Sequence, residues 1–366
     1  MKSIKTKLKV NNYQKTLLAK HTGVARHAYN WGLNTCIEEY KLTKKRPSAI
    51  TLHKRLIAEV KSENPWYYEV SKCAPQQALR DLDRAFKNFL TIPKCRFPKF
   101  KKKGQKDSFY LEGNIKILHG NYIQLPRIGR VKTYEILPSV PVKNVTISKK
   151  ANNWYISFKY DLEPVPNLTP TPKERAVIGV DVGINTLATC SDGTKFANVK
   201  PYRQAKKRLT RYQRRLKKKE LGFLRNATQT KNRAKAVKKL AKIHKKVADT
   251  RADALHKLTT WLAKNHSTIV IEDLNVSGML KNHKIASAIA DCGFYEFKRQ
   301  LTYKCEWYRS KLVIADRFYP SSQICSQCGH KQKMPLSARR YECGACGCET
   351  DRDFNAAVNL ENYVNK

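Results

Sequence analysis

The sequence has few acidic residues and no long apolar run. Only 29 of its 366 residues are Asp or Glu, against 73 Lys or Arg, which gives a formal net charge of +44. No apolar segment reaches the length of a membrane span, and we find no cleavable signal peptide, lipidation motif or amphipathic anchor. We therefore expect an intracellular, cytoplasmic protein with no membrane partner.

The excess of positive charge indicates a polyanionic partner. A compact protein with this charge repels itself unless counter-charges neutralise it. Nucleic acid is the default partner, because binding releases the counterions condensed on its phosphates. Hydrophobic residues make up 41% of the chain and aromatic residues 10%, as in ordered globular proteins, and the length allows two or three domains.

Cysteine is plentiful, with 11 residues in the chain. In a reducing compartment this number favours metal ligands or buried thiols over disulfides. Two Cys-x-x-Cys turns near the end of the sequence supply the four thiolates that a tetrahedral zinc ion needs. These are Cys325, Cys328, Cys343 and Cys346. We predict one structural Zn²⁺ site there, with Cys348, and less well His330, as alternative fourth ligands.

The first half of the chain predicts a small β-barrel interrupted by helices. Short alternating strands fill residues 1–12 and 107–162, with turns between them. Residues 13–106 contain three amphipathic helices followed by a basic loop, so the helical bundle is an insertion. The apolar stripe of the third helix includes Phe89 and Leu90.

The second half, residues 175–366, predicts an α/β layer fold after a proline-rich linker at 163–174. A meander of three strands comes first. A helical hairpin follows over residues 203–248, with a break at Gly222–Asn226. A separate helix at 252–264, a strand, a helix, another strand and a short last helix complete the pattern.

The helical hairpin is almost entirely basic, with 19 Lys or Arg in residues 203–248 and a single acid. Charge of one sign over this length costs repulsion unless phosphates neutralise it. The alternative is a solvated charged face. We predict nucleic-acid binding by exposed side chains of the first hairpin helix, namely Lys206, Arg211, Arg214, Arg215 and Lys218.

Four acidic residues occupy unusual positions. Asp181 interrupts an apolar strand, Glu272 ends another, and Asp351 and Asp353 begin the last helix. Each has a structural explanation by itself, as a buried ion pair, a strand-end acid or a helix cap. Carboxylates from both strands and the helix start would together form a focus of negative charge suited to Mg²⁺, and two such ions about 4 Å apart can clamp a phosphodiester.

These residues and their neighbours resemble TnpB, a family of transposon-encoded RNA-guided nucleases related to the type V CRISPR effectors. The resemblance is specific in the second half and weaker in the first. The matching second-half segments are Gly179–Gly183, Leu255–Thr260, Ile271–Leu274, Phe318–Gln323, the four cysteines and Asp351–Ala357.

The resemblance implies an α+β multidomain architecture. Residues 175–366 would form a RuvC-like, RNase H-type α/β nuclease domain with a zinc finger inserted at 320–350. Residues 1–12 and 107–162 would form a wedge-like β-barrel, into which a helical recognition domain, residues 13–106, is inserted.

The resemblance also implies a catalytic triad and its cofactors. The triad maps onto Asp181, Glu272 and Asp353, with Asp353 favoured over Asp351, and it would hold two Mg²⁺. All three acids are present, which favours DNA cleavage over the binding role of family members that have lost the triad. An unguided metal nuclease or transposase stays open, because a basic surface does not distinguish RNA from DNA.

The implied partners are a guide RNA made from the transposon end and double-stranded target DNA, bound by a monomer with one RNA near the prokaryotic nucleoid. A short motif beside the target would be read on the duplex. Lys72 and Gln76 match family positions near that motif.

Overall fold

The computed structural model describes residues 2–161, 175–223, 231–335 and 338–365. The chain divides into two compact units, Met1–Pro166 and Asn167–Lys366. The predicted linker at 163–174 lies outside the described residues, at the boundary between these units. No helix in the described ranges is both long and apolar enough to cross a membrane.

The first unit contains a seven-stranded antiparallel sheet. Its strands are β1 (Lys2–Lys9), β2 (Ser108–Glu112), β3 (Lys116–Leu118), β4 (Tyr122–Leu125), β5 (Gly129–Thr133), β6 (Asn144–Lys150) and β7 (Asn153–Tyr160). The order is β2-β6-β7-β1-β5-β4-β3, so the first strand lies in the middle of the sheet. Alternating side chains such as Val145 and Ile147 are buried on one face, as the period of two requires. The described pairings end at β2 and β3, so closure into a barrel stays a prediction.

Helices of the first unit lie between β1 and β2 in the chain. They are α1 (Asn12–Thr43), α2 (Ala49–Arg55), which continues as a π-helical turn over Leu56–Lys61, and α3 (Cys73–Thr91). A capping box between Asn11 and Gln14 starts α1, because each side chain accepts a hydrogen bond from the other's backbone N–H. The predicted stripe of α3 is wrong at its end: Phe89 and Leu90 are 38% and 75% exposed. The last turn of α3 therefore extends beyond the core.

The second unit is built on a five-stranded sheet. Its strands are β8 (Arg175–Asp181), β9 (Thr186–Cys190), β10 (Lys195–Ala197), β11 (His266–Glu272) and β12 (Lys311–Ala315). In the order β10-β9-β8-β11-β12, the first three strands form the predicted antiparallel meander, and β8, β11 and β12 run parallel. Parallel strands place their carboxyl ends at the same edge, which brings the ends of β8 and β11 together.

Helices and a small β-ribbon complete this unit. They are α4 (Pro201–Phe223), α5 (Lys231–Asn265), α6 (Val276–Met279), α7 (Ala286–Cys292), α8 (Phe294–Tyr308), β13 (Arg340–Glu342), β14 (Glu349–Asp351) and α9 (Arg352–Glu361). The predicted separate helix at 252–264 is wrong, because α5 runs unbroken through it. The segment contains no proline or glycine that would end a helix. The predicted break at Gly222–Asn226 lies partly outside the described residues, since α4 extends to Phe223.

The basic helix α4 is held at its start by one buried acid. The carboxylate of Asp291, on α7, accepts hydrogen bonds from the backbone N–H groups of Tyr202 and Arg203, at 2.9 and 3.0 Å. These N–H groups belong to the first turn of the helix and lack intrahelical partners. The Arg251 guanidinium donates to Asp291 at 3.3 Å. The hairpin of α4 and α5 is thereby fixed to the sheet layer.

Helix α9 lies unusually close to strand β8 at Gly179. A Cβ atom placed on Gly179 would lie 1.9 Å from the Ala357 carbonyl oxygen and 2.4 Å from the Glu361 backbone nitrogen. Both are backbone atoms of the helix region and cannot rotate away. Glycine at this position is therefore what allows α9 to pack on the sheet.

We predict that Gly179→Ala strongly destabilises the second unit. The new methyl group must push α9 off β8, at a cost of about 3 kcal/mol or more. Thermal unfolding of the purified protein measures the loss. Gly23→Ala in α1 is the matched control, because its Cβ would meet nothing nearer than the Arg26 side chain at 4.0 Å. Alanine in this helix interior should leave stability unchanged or raise it by about 0.5–1 kcal/mol. Equal effects of the two substitutions would contradict the packing argument.

Candidate functional site

Asp181 and Glu272 are the last residues of two neighbouring parallel strands, β8 and β11. The register pairs Ile271 with Val180, so the two acids follow side by side at the same edge of the sheet. The residues just before the two acids are apolar and belong to the core: Val180 is fully buried, and Ile271 is nearly so. The strands therefore end in two carboxylates against an apolar core.

The electrostatic environment of Asp181 is unfavourable for a carboxylate. Burial raises the pKa of Asp181 well above its ordinary value, and the negative charges of Glu272 and Asp353 raise it further. The guanidinium of Arg352 acts in the opposite direction without offsetting them. Asp181, Glu272 and Asp353 thus form one interacting group, which we call the carboxylate cluster.

The two acids at the start of α9 have different roles. Asp351 is the N-cap: its Oδ1 accepts from the backbone N–H groups of Asp353 and Phe354, at 2.9 and 3.0 Å, and its Oδ2 lies 3.1 Å from Lys195 Nζ. Burial opposes ionisation of Asp351, but these hydrogen bonds hold its pKa below its ordinary value. Asp353 sits inside the first turn, with an Arg352 nitrogen 3.7 Å from Oδ1. Of the two, Asp353 has the larger effect on Asp181.

Glu272 has a neutral partner. The hydroxyl of Ser321, which is 2% exposed, donates a hydrogen bond to Glu272 Oε1. The next residue, Asp273, is instead paired with Lys298 and Arg317, and these hydrogen bonds lower its pKa. Of these two adjacent acids, Asp273 is neutralised by cations, whereas Glu272 lies beside Asp181.

The four predicted zinc ligands lie together. The sulfur atoms of Cys325 and Cys346 are 3.7 Å apart, and those of Cys328 and Cys343 are 3.6 Å apart. All four lie within 4.8 Å of one another. A tetrahedron with Zn–S bonds of about 2.3 Å has edges of about 3.8 Å, so the set fits zinc in both size and donor type.

Cys346 rather than Cys348 completes this set in the structure. Cys348 and His330 contribute their backbone carbonyls, which accept from Cys343 N at 2.9 Å and from Cys325 N at 2.8 Å. Backbone hydrogen bonds from Cys346 and Ala345 lower the pKa of Cys343 to about 6. The pKa of Cys346 is instead about 12, because its backbone hydrogen bond with Cys348 is outweighed by side-chain hydrogen bonds with the other thiols. Zinc binds the thiolate form of both. The four-cysteine cluster therefore has the character of a structural zinc finger.

The cysteine cluster is more compact than the carboxylate cluster. Among the described residues, only the cysteines place three or more potential ligand atoms so close together. Carboxylate oxygens are nevertheless the donor type that a hard divalent cation prefers.

Hydrogen bonds connect the zinc finger to α9. Asn355 is fully buried; its Oδ1 accepts from Ser326 N at 2.9 Å and its Nδ2 donates to the Ile324 carbonyl at 2.7 Å. Asn359, one turn later, also donates to the Ile324 carbonyl at 2.7 Å. Ile324 and Ser326 flank the first zinc ligand, Cys325. The finger and the helix that carries Asp353 are consequently fixed to each other.

The basic residues predicted to bind nucleic acid divide between the two units. All five named residues of α4 are exposed. Lys72 occupies the N-cap position of α3 in the first unit without a capping hydrogen bond from its side chain, and Gln76 follows in the first turn. The five residues of α4 belong to the second unit, and Lys72 and Gln76 belong to the first.

The structure contains a groove of about 480 Å³ between α4 and α5 that the sequence patterns did not predict. Its polar lining is cationic, from Arg208, Lys239, Lys242 and Lys246, with Tyr212 alongside. The spacing of three or four residues within each helix could have indicated one shared face. The groove adds a second basic surface to the hairpin.

Comparison with known proteins gives three matches to family descriptions along the chain. Residues 157–283 match a family described as "Probable transposase", OrfB of IS605, and residues 294–360 match the "Cas12f1-like, TNB domain". Residues 1–45 match the helix-turn-helix domain of the same OrfB family. The first two segments contain Asp181, Glu272, Asp353 and the zinc ligands.

Relatives of similar length extend this match over the whole chain. A "Putative RNA-guided DNA endonuclease" from Streptomyces pristinaespiralis is 35% identical, over 98% of this chain and 89% of the relative. The "Putative RNA-guided DNA endonuclease InsQ" of Escherichia coli strain K12 is 33% identical, over 98% and 91% respectively. A solved structure, the mini-RNA-guided endonuclease CRISPR-Cas_phi3, aligns at 10% identity with a TM-score of 0.48, covering 98% of this chain and 91% of that one. The identity of 35% and 33% to the two relatives, over nearly the whole chain, shows that the chain belongs to the TnpB family, also called OrfB of IS605, which is related to Cas12f.

Proposed function

We propose that this protein is an RNA-guided DNA endonuclease. It binds a guide RNA derived from the transposon end, recognises a short target-adjacent motif and cleaves DNA by two-metal hydrolysis of a phosphodiester. One observation carries the proposal: three carboxylates from β8, β11 and α9 converge in a chain of net charge +44. The names of its relatives, as RNA-guided DNA endonucleases, support the same activity.

The sheet of the second unit supports a RuvC-like, RNase H-type domain. An antiparallel meander of β10, β9 and β8 continues into parallel β11 and β12, and α9 packs on the central strand. On this reading the zinc finger is an insertion between β12 and α9, and the first unit is a wedge-like barrel with an inserted recognition domain.

Asp181, Glu272 and Asp353 are the residues we assign to metal binding. Burial, and then the charges of Glu272 and Asp353, raise the pKa of Asp181, and a divalent cation would offset the repulsion among the three carboxylates. When bound, two Mg²⁺ supply Lewis-acid stabilisation of the phosphodiester and a water of lowered pKa. The protein's part is to hold the three carboxylates at fixed positions, on two strand ends and the first turn of a helix.

The basic surfaces are assigned to the nucleic acids. Exposed cations of α4 and those of the groove between α4 and α5 would neutralise phosphates of the guide RNA and of the displaced DNA strand. Base pairing with the guide supplies sequence specificity, as in other guided effectors. Lys72, which is exposed, and Gln76, which is half-buried, lie at the start of α3 and are proposed to lie near the target-adjacent motif.

If the protein is RNA-guided, we expect RNA to remain bound to it during purification. With +44 charges, the protein should retain an RNA of defined length in moderate salt and lose solubility when that RNA is digested. Sequencing of the bound RNA identifies the guide. A preparation free of RNA that still cuts duplex DNA would instead show an unguided nuclease or transposase.

Substitution of each acid at the start of α9 tests which of the two takes part in DNA cleavage. Asp353→Ala should lower the cleavage rate about 1,000-fold, since metal catalysis supplies several kcal/mol and each 1.4 kcal/mol is tenfold in rate. Asp351→Ala removes a helix cap, at about 1 kcal/mol of stability, and an exposed ion pair with Lys195. It should retain most activity. Single-turnover cleavage and target binding are measured together. Loss of binding with Asp353→Ala, or equal loss of cleavage in both variants, would contradict the assignment.

Asp181→Asn independently tests the repulsion between Asp181 and the carboxylates of Glu272 and Asp353. It should abolish cleavage, yet raise the thermal stability of the zinc-loaded protein in buffer without Mg²⁺, because it removes a charge that burial and two like charges disfavour. Thermal unfolding without Mg²⁺ and without a chelator, which would also remove zinc, tests this expectation. A lower unfolding temperature would show that Asp181 stabilises the fold through a cation pair instead.

Removal of zinc should reduce cleavage as well as stability. We expect one zinc per chain by elemental analysis, lost in Cys346→Ser and retained in Cys348→Ser, since Cys346 belongs to the compact set. Without zinc, Ile324 and Ser326 no longer hold Asn355 in place, and α9 with Asp353 loses a support. Full zinc content in Cys346→Ser would contradict the ligand assignment.

A further inference from the structure

Ser321 is buried between the carboxylate cluster and α9, and it is fixed on both sides. Its hydroxyl donates to Glu272 Oε1. Its backbone carbonyl accepts a hydrogen bond from Asn359 Nδ2 at 2.7 Å, and its backbone N–H donates to the Tyr319 carbonyl at 2.9 Å. Both the hydroxyl and the main chain of Ser321 therefore have defined positions.

Asn359 joins this serine to the helix that carries Asp353. It is 3% exposed, lies six residues after Asp353 on α9, and donates its amide hydrogens to the carbonyls of Ser321 and Ile324, both at 2.7 Å. A movement of α9 would consequently shift Asp353 directly and Ser321 through Asn359.

We propose that Ser321 is a positioning residue: it fixes one oxygen of Glu272, so that the other oxygen faces Asp181 and Asp353 ready to bind a divalent cation. A glutamate side chain rotates about several bonds, and a cluster of like charges would drive it outward into solvent. The donated hydrogen bond holds the side chain in place without adding a positive charge that would compete with the cation. The inference rests on the proposed function of the carboxylate cluster.

If Ser321 had only a structural role, its removal would have a different effect. A buried hydroxyl needs a hydrogen-bond partner, and Glu272 could serve only as that partner. Removal of the hydroxyl would then change stability alone. If Ser321 positions Glu272, its removal also lowers cation affinity, by the 10- to 100-fold that is typical when a group supporting a metal ligand is lost.

Cation binding can be measured without DNA cleavage. Fe²⁺ with ascorbate and peroxide generates hydroxyl radicals that cut the polypeptide beside a bound ion, and mass spectrometry locates the cuts. The experiment uses full-length protein as purified, with any nucleic acid it carries. We expect cuts near Asp181, Glu272 and Asp353, and their loss in Asp181→Asn.

In Ser321→Ala, the Fe²⁺ concentration for half-maximal cutting should rise about 10- to 100-fold. Ser322→Ala is the matched control, because among the described residues this neighbouring serine makes no hydrogen bond to Glu272 or to α9, and its curve should match the wild type. Ser321→Thr and Ser321→Val add the same bulk, but only threonine keeps the hydroxyl. We expect tighter Fe²⁺ binding with threonine than with valine, even if both lower the unfolding temperature.

Two results would overturn the inference. One is a wild-type Fe²⁺ curve in Ser321→Ala; the other is equal curves for the threonine and valine variants. Failure of the proposed function gives a different result, in which the wild type shows no cuts at the cluster or Asp181→Asn leaves them unchanged. The two failures are therefore distinguishable.

Discussion

Repulsion among three carboxylates is the constraint on which the second unit depends. Burial and the charges of Glu272 and Asp353 all disfavour an ionised Asp181, so the cluster costs stability wherever no cation compensates. The surrounding structure resists this repulsion at each acid. Asp181 and Glu272 are fixed by the backbone of adjacent strands, Asp353 by the first turn of α9, and Glu272 also by Ser321. These supports hold together groups that would separate by themselves.

Helix α9 connects these supports. Gly179 allows its backbone to approach β8, the buried Asn355 and Asn359 bind the loop that ends in Cys325, and Asp351 caps its start. The zinc finger thereby acts at a distance from the carboxylates. It fixes the loop, the loop fixes the helix, and the helix presents Asp353. A segment that contributes no carboxylate to the cluster can in this way support the geometry of the cluster.

Sequence patterns predicted what depends on local spacing. Two apolar strands that end in acids led to the convergence of Asp181 and Glu272, and two Cys-x-x-Cys turns led to the compact cysteine set. Patterns failed where tertiary context decides. Periodicity could not show that Leu90 extends beyond the core or that α5 runs unbroken to Asn265. The hydroxyl of Ser321 reaches Glu272 from 49 residues away, and no short-range signal marks such a contact.

Acidic residues are few in this chain, and several of them have a defined role in the structure of the second unit. Asp291 caps α4, Asp351 caps α9, and Asp273 pairs with two cations. Two of these acids are close in sequence to members of the cluster, Asp273 beside Glu272 and Asp351 two residues before Asp353. In each pair the structure neutralises one acid with N–H groups or cations and directs the other at Asp181. A chain with 73 cationic side chains could have paired all of them. Burial and the charges of Glu272 and Asp353 nevertheless raise the pKa of Asp181, so the negative charge at this edge of the sheet exceeds the positive charge that Arg352 supplies.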